Sequence, residues 1–105
     1  MMKLVVFSIY DKAIGAYMRP FFMQSEGQAL RAFMDDVVSA ESVVAKHPED
    51  YSLFRIGSWK DSEGSLVPEE PRCIARAHEM VAQSREVNGD ALKSFDESVS
   101  PGGTA

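Results

Sequence analysis

His47, Glu49, Asp50, Cys73 and His78 are the side chains with which this sequence could hold a metal ion, because zinc needs three or four nitrogen, sulfur or carboxylate donors at one point. Their spacing matches no ligand motif. His47 falls in a turn beside Pro48 and His78 falls on the apolar stripe of a predicted helix, so both read as ordinary surface and core histidines. Cys73 reads as a small buried hydrophobe and, as the lone cysteine, forms no internal disulfide. Nucleophilic catalysis needs Ser or Cys beside a base that a third group orients, and no order of residues here marks such a triad. Asp35-Asp36 and Glu69-Glu70 are sequence neighbours, which diverge by about 100° on a helix. They suit a solvated face or a helix N-terminus better than acid–base chemistry. There is no glycine-rich phosphate loop. The expectation is a chain with no catalytic residue, metal or cofactor, and therefore no enzyme.

Aromatic and basic side chains make the remaining constellation. Tyr17, Arg19 and Phe21 share one face of a predicted strand, Arg55 and Trp59 share one face of another, and Lys60 follows. Single-stranded nucleic acid is bound by such sets: bases stack on flat rings for about 1–3 kcal/mol each while cations meet phosphates. Tyr17 and Trp59 are the expected stacking residues; Arg19, Arg55 and Lys60 are the expected phosphate contacts. The competing reading places most aromatics in the core and makes the domain a protein-interaction module, which the scarcity of net positive charge favours.

These residues must be positioned by strands and helices that the sequence also marks. Lys3 to Tyr10 is β-branched and aromatic, and Asp11-Lys12-Ala13 breaks it, as a strand entering a turn would. A second strand follows over Ala16 to Met23 as an antiparallel hairpin partner, at an edge or carrying a bulge at Pro20, where pairing weakens. Ser25 and Gln28 form a capping box, and Leu30, Phe33, Met34, Val37 and Val38 make the apolar stripe of a helix ending near Ala40. After a turn at His47 to Asp50, Tyr51 to Trp59 reads as a third strand. Phe54 and Ile56 are expected on its core side, with Leu53, Arg55 and Trp59 opposite. Asp61 to Gly64 is a hairpin turn, Ser65 to Val67 a short fourth strand stopped by Pro68, and Pro71 the start of a second helix that fades by Asn88-Gly89. The expected fold is α+β: a small antiparallel sheet of three to four strands with two helices on one face, in the order β-β-α-β-(β)-α. Residues 1–87 form the domain, and 88–105 a flexible acidic tail. A bare sheet face carrying large side chains would then meet solvent, a ligand or a second subunit.

Charge divides the chain the same way. Residues 1–60 hold seven basic and seven acidic side chains, whereas 61–105 hold four and nine, so the whole excess behind the net charge of −5 is C-terminal. Nine of the ten aromatic residues lie in the balanced part. The apolar run before Asp11 is too short for a signal peptide, no stretch approaches a membrane span, and a single cysteine suits a reducing compartment. A cytoplasmic setting is expected.

Three stretches carry a resemblance: VFSIYDKAIGAYMRPFFMQSEGQALRAF (Val6 to Phe33), KHPEDYSLFRIGSW (Lys46 to Trp59) and the turn DSEGSL. In this fixed order they resemble the small nonstructural protein that gokushoviruses, single-stranded DNA phages of the Microviridae, encode in their fifth open reading frame. The resemblance covers roughly residues 2–67. It implies DNA binding and a role in viral genome replication, in single-stranded DNA production or in packaging, within the host bacterial cytoplasm. The implied partners are single-stranded DNA and viral or host replication proteins. A homodimer is open, as is self-association through the sheet or an edge strand without DNA.

Overall fold

The β-branched and aromatic run after Lys3 forms the strand on which the others assemble. The computed structural model describes residues 3–84. In chain order they form β1 (Lys3–Asp11), β2 (Ala16–Tyr17), β3 (Phe21–Met23), α1 (Glu26–Val38), α2 (Val43–Lys46), a 3-10 turn (Pro48–Asp50), β4 (Tyr51–Lys60) and β5 (Ser65–Arg76). A further helix, α3, occupies 77–84. The strands make one antiparallel sheet in the order β2-β1-β4-β5, with β3 following β2 along the same border of β1. This is the α+β architecture expected from the sequence. Among the described residues no helix is long and apolar enough to cross a membrane.

The core lies between one face of the sheet and the helices. Val5 and Phe7 of β1 and Leu53 of β4 meet Ala29, Phe33 and Val37 of α1, Val44 of α2, and Ala77 and Met80 of α3. Phe7, Phe33 and Leu53 are almost completely buried, each contributing about 1.5–3 kcal/mol through apolar area removed from water. Ser25 caps α1 by accepting from the Gln28 amide at 3.2 Å, while the Gln28 side chain accepts from the Gln24 amide at 2.9 Å. Val38, expected on the buried stripe, is exposed; the buried row is Ala29, Phe33, Val37, spaced by four. Ser42 caps the short α2, which the sequence pattern did not reveal.

Three expectations are corrected. The expected strand Ala16 to Met23 is two strands, because Tyr17 pairs with Tyr10 but Phe21 pairs with Phe7, leaving one extra residue around Pro20. Since side chains alternate between faces, this slip sends Tyr17 and Phe21 to opposite sides. Buried Ser8 fixes the irregular piece: its hydroxyl donates to the Met18 carbonyl at 2.6 Å.

The faces of β4 are also reversed. Leu53 is in the core and Phe54 lies on the face without helices, where it meets Tyr10 and Tyr17. Ile56 then forms a bulge, since Val6 pairs with Gly57 while Phe7 pairs with Arg55. The extra residue flips the alternation, so Arg55 and Trp59 fall on opposite faces although four residues apart.

β5 is the third correction. It runs through Pro68 and Pro71 to Arg76, where a strand stopping at Pro68 and a helix starting at Pro71 were expected. It is tolerated because β5 borders the sheet, and because Glu69, Glu70 and Pro71 bulge out between the Gly57–Pro68 and Arg55–Arg72 pairs. Gly57 permits the close approach: a Cβ there would lie 2.6 Å from the Val67 carbonyl oxygen. Ile74 is consequently a strand residue, and the helix begins at 77 with His78 exposed rather than on its apolar side. Its expected end at Asn88-Gly89 and the expected tail 88–105 lie outside the described residues.

Candidate functional site

The sheet face opposite the helices carries two groups of aromatic rings. Pairing of Tyr10 with Tyr17 sets their rings 4.8 Å apart, and Phe54 from β4 meets them edge-on at 6.1 and 5.5 Å. Nearer the other end, Phe22 and Trp59 meet at 6.3 Å, also edge to face. Tyr17 and Phe22 are each 44% exposed, whereas Tyr10, Phe54 and Trp59 are half-buried. Phe21, by contrast, stacks on Phe7 at 5.8 Å on the helix side.

Cations border the first group. Lys12 and Arg76 line a cleft of about 230 Å³ together with Tyr10, Phe54, Cys73, His78, Glu49 and Asp50. Arg19 is exposed in the segment between β2 and β3, and Arg76 reaches Glu79 at 3.7 Å without being buried. Flat rings beside guanidinium and ammonium groups can stack on planar ligands and meet anions at their edges.

At the second group the chemistry is different. A groove of about 390 Å³ runs across the curled sheet between Pro20 and Phe22 on one wall and Leu66 and Pro68 on the other, over Val6 and Gly57. Its lining is almost wholly apolar, and Leu66 is 61% exposed.

Of the five residues expected to form the site, Tyr17 and Trp59 reach this face and Arg19 is exposed in the segment between β2 and β3. Arg55 points to the helix side, where it donates to Glu26 at the start of α1 at 2.9 Å and to Glu69 of β5 at 2.8 Å. Arg72 also pairs with Glu26. The hydrogen bond from Arg55 holds the Glu26 and Glu69 carboxyls below their ordinary 4.5, and the same bonds raise the Arg55 guanidinium. Arg55 thus ties α1 and two strands together. Lys60 pairs with Lys3 at the end of β4 and, by alternation, stands on the side opposite Trp59. Tyr10, Phe22, Phe54, Lys12 and Arg76 were missed. The hairpin register Tyr10–Tyr17 was readable from the four-residue turn between Asp11 and Ala16, and would have pointed to Tyr10.

The 3-10 turn gathers His47, Glu49 and Asp50 with donor atoms within 4.8 Å of one another. All three are neighbours on one largely exposed turn, a placement common for acidic side chains without any ion. Cys73 is half-buried, not fully buried as expected, and its thiol faces the Ala75 carbonyl at 3.8 Å.

Fold and face together define a small α+β protein whose helices cover one side of a curled antiparallel sheet and leave its aromatic side open. The pattern of the family described as Phage ORF5 protein matches residues 4–80, nearly the whole of the described fold. The chain belongs to that phage protein family. Comparison with curated proteins and with solved structures gave no significant match.

Proposed function

We propose that this phage protein is a non-enzymatic gokushovirus nonstructural protein that binds single-stranded DNA during viral genome replication or packaging in the host bacterial cytoplasm. The observation that carries the reading is the helix-free cluster of Tyr10, Tyr17 and Phe54 with Lys12 and Arg76 in the cleft at its edge, and with Arg19 exposed in the segment after β2. Bases stack on Tyr17 and Phe54, and the three cations take phosphates. Trp59 forms a second stacking station with Phe22. Arg55 and Lys60 leave the phosphate-contact set, because one is held by two carboxylates and the other stands on the opposite side.

Anisotropy of a labelled oligothymidine tests this. Three phosphate contacts give a slope of about −2 in log affinity against log salt, at roughly −0.7 per contact on a single strand. Tyr17→Ala loses one stack, about 1–3 kcal/mol or roughly 5- to 150-fold in affinity. Absence of binding at low salt, or binding indifferent to salt, overturns the reading.

The apolar groove favours a second reading, a protein-contact module that self-associates or recruits viral or host replication proteins without touching DNA. Under it, Tyr17→Ala is silent and substitutions in the groove change the sedimentation behaviour of the protein.

A further inference from the structure

We infer that the groove receives the β1–β2 hairpin tip of a second copy of this chain, so that copies join head to tail. The inference deepens the protein-contact reading of the groove and does not depend on nucleic acid. Ile14 stands on that tip with 71% of its surface exposed, the most exposed large hydrophobic residue among the described ones. The tip holding it is locked: the Asp11 carboxylate accepts from the Ala13 amide at 2.9 Å, the Gly15 amide returns to the Asp11 carbonyl at 2.9 Å, and Gly15 takes φ 67°. A fixed apolar knob loses little freedom on docking.

The complementary hole is the groove between Pro20, Phe22, Ile56, Leu66 and Pro68. Charge adds to the apolar match. Lys12 is exposed beside the knob, and Glu63 and Glu70 are exposed on the turn and bulge of β5 that flank the groove. Knob and groove sit toward opposite ends of β1, since the tip follows Asp11 whereas the groove lies over Val6 and toward the β4–β5 turn. One copy therefore cannot fill its own groove. A contact between two different patches is heterologous, and it propagates as an open chain or closes as a ring. One isoleucine and one pair of charges make a small contact, so association is weak between free copies and strengthened between copies held on a common partner.

Sedimentation equilibrium of the full chain without nucleic acid decides it. The wild-type mass rises with concentration between micromolar and millimolar. Ile14→Asp and Leu66→Arg each keep the protein monomeric, and both positions are exposed, so an unchanged urea midpoint shows the fold intact. Mixed together, these two variants form a one-to-one dimer and nothing larger, because Ile14→Asp retains a groove and Leu66→Arg retains a knob. A wild type that stays monomeric to millimolar, a single variant that still associates as wild type does, or a mixture that stays monomeric overturns the inference. Failure of oligonucleotide binding changes none of these outcomes, so the two readings fail separately.

Discussion

Leu53 and Phe54 are chain neighbours on opposite faces of β4, and truncating each should damage a different property. Leu53 has no exposed surface and packs under the helices with Phe7 and Phe33. Leu53→Ala therefore loses its transfer energy and leaves a cavity, about 3–5 kcal/mol together, against a total stability of roughly 5–15 kcal/mol. Phe54 is half-buried and touches the Tyr10 and Tyr17 rings edge-on at 6.1 and 5.5 Å. Its removal loses two ring contacts of about 0.5–1.5 kcal/mol each, part of which water recovers at a half-open site. On the proposed function it also loses a stacking surface, about 1–3 kcal/mol in oligonucleotide affinity. Urea unfolding followed by far-UV circular dichroism reads the first effect, and anisotropy titration at low salt reads the second. The expected outcome is a large fall in unfolding free energy with affinity retained for Leu53→Ala, and the converse for Phe54→Ala. If Phe54→Ala proves the more destabilising of the two, the assignment of faces is wrong.

Gly57→Ala places a Cβ 2.6 Å from the Val67 carbonyl oxygen, so β5 must shift; a loss of about 1–3 kcal/mol is expected in urea unfolding, and a change under 0.5 kcal/mol would contradict the close approach. Ser8→Ala removes the bond to the Met18 carbonyl and should cost roughly 0.5–1.5 kcal/mol, with faster amide hydrogen exchange at residues 17–19 as its local signature. Glu26 and Glu69 titrate below 4.5 in the folded protein because Arg55 donates to both. Their stabilising contribution is complete above the ordinary carboxylate value and is lost as pH falls through the lowered one. Unfolding measured from neutral pH down into the acid range should show that loss in the wild type and a flatter profile in Arg55→Met; identical profiles would remove the pairing from the explanation.

How much of this was readable beforehand depended on whether the signal was local. α1 announced itself through Ser25, Gln28 and the spacing of Phe33 and Val37, all within one segment. The positions of β1 and β4 followed from β-branched and aromatic runs. The face of each strand did not, because Leu53 and Phe54 are both apolar and the bulge at Ile56 reverses parity without any residue type that marks it. Pro68 and Pro71 read as terminators, yet they are accommodated at a border strand that bulges there, a fact of topology and not of sequence. Arg55 was the costliest misreading for the site. Its partners lie 29 and 14 residues away, so an exposed cation and a paired one looked alike in one dimension. Tyr17 and Arg19 were legible because an exposed aromatic or basic residue near a turn keeps its character whatever packs behind it.

The prolines have a consequence for how such a protein coexists with itself. Pro20 interrupts one border of the sheet, and Pro68 and Pro71 interrupt the other. A foreign strand arriving at either side finds a missing amide in mid-span and no continuous ladder to extend. Crowding many copies together therefore carries little risk of zipping them into cross-strand aggregates, even with so much ring surface uncovered. Approach is directed to the broad face, where side chains rather than backbone decide what is accepted.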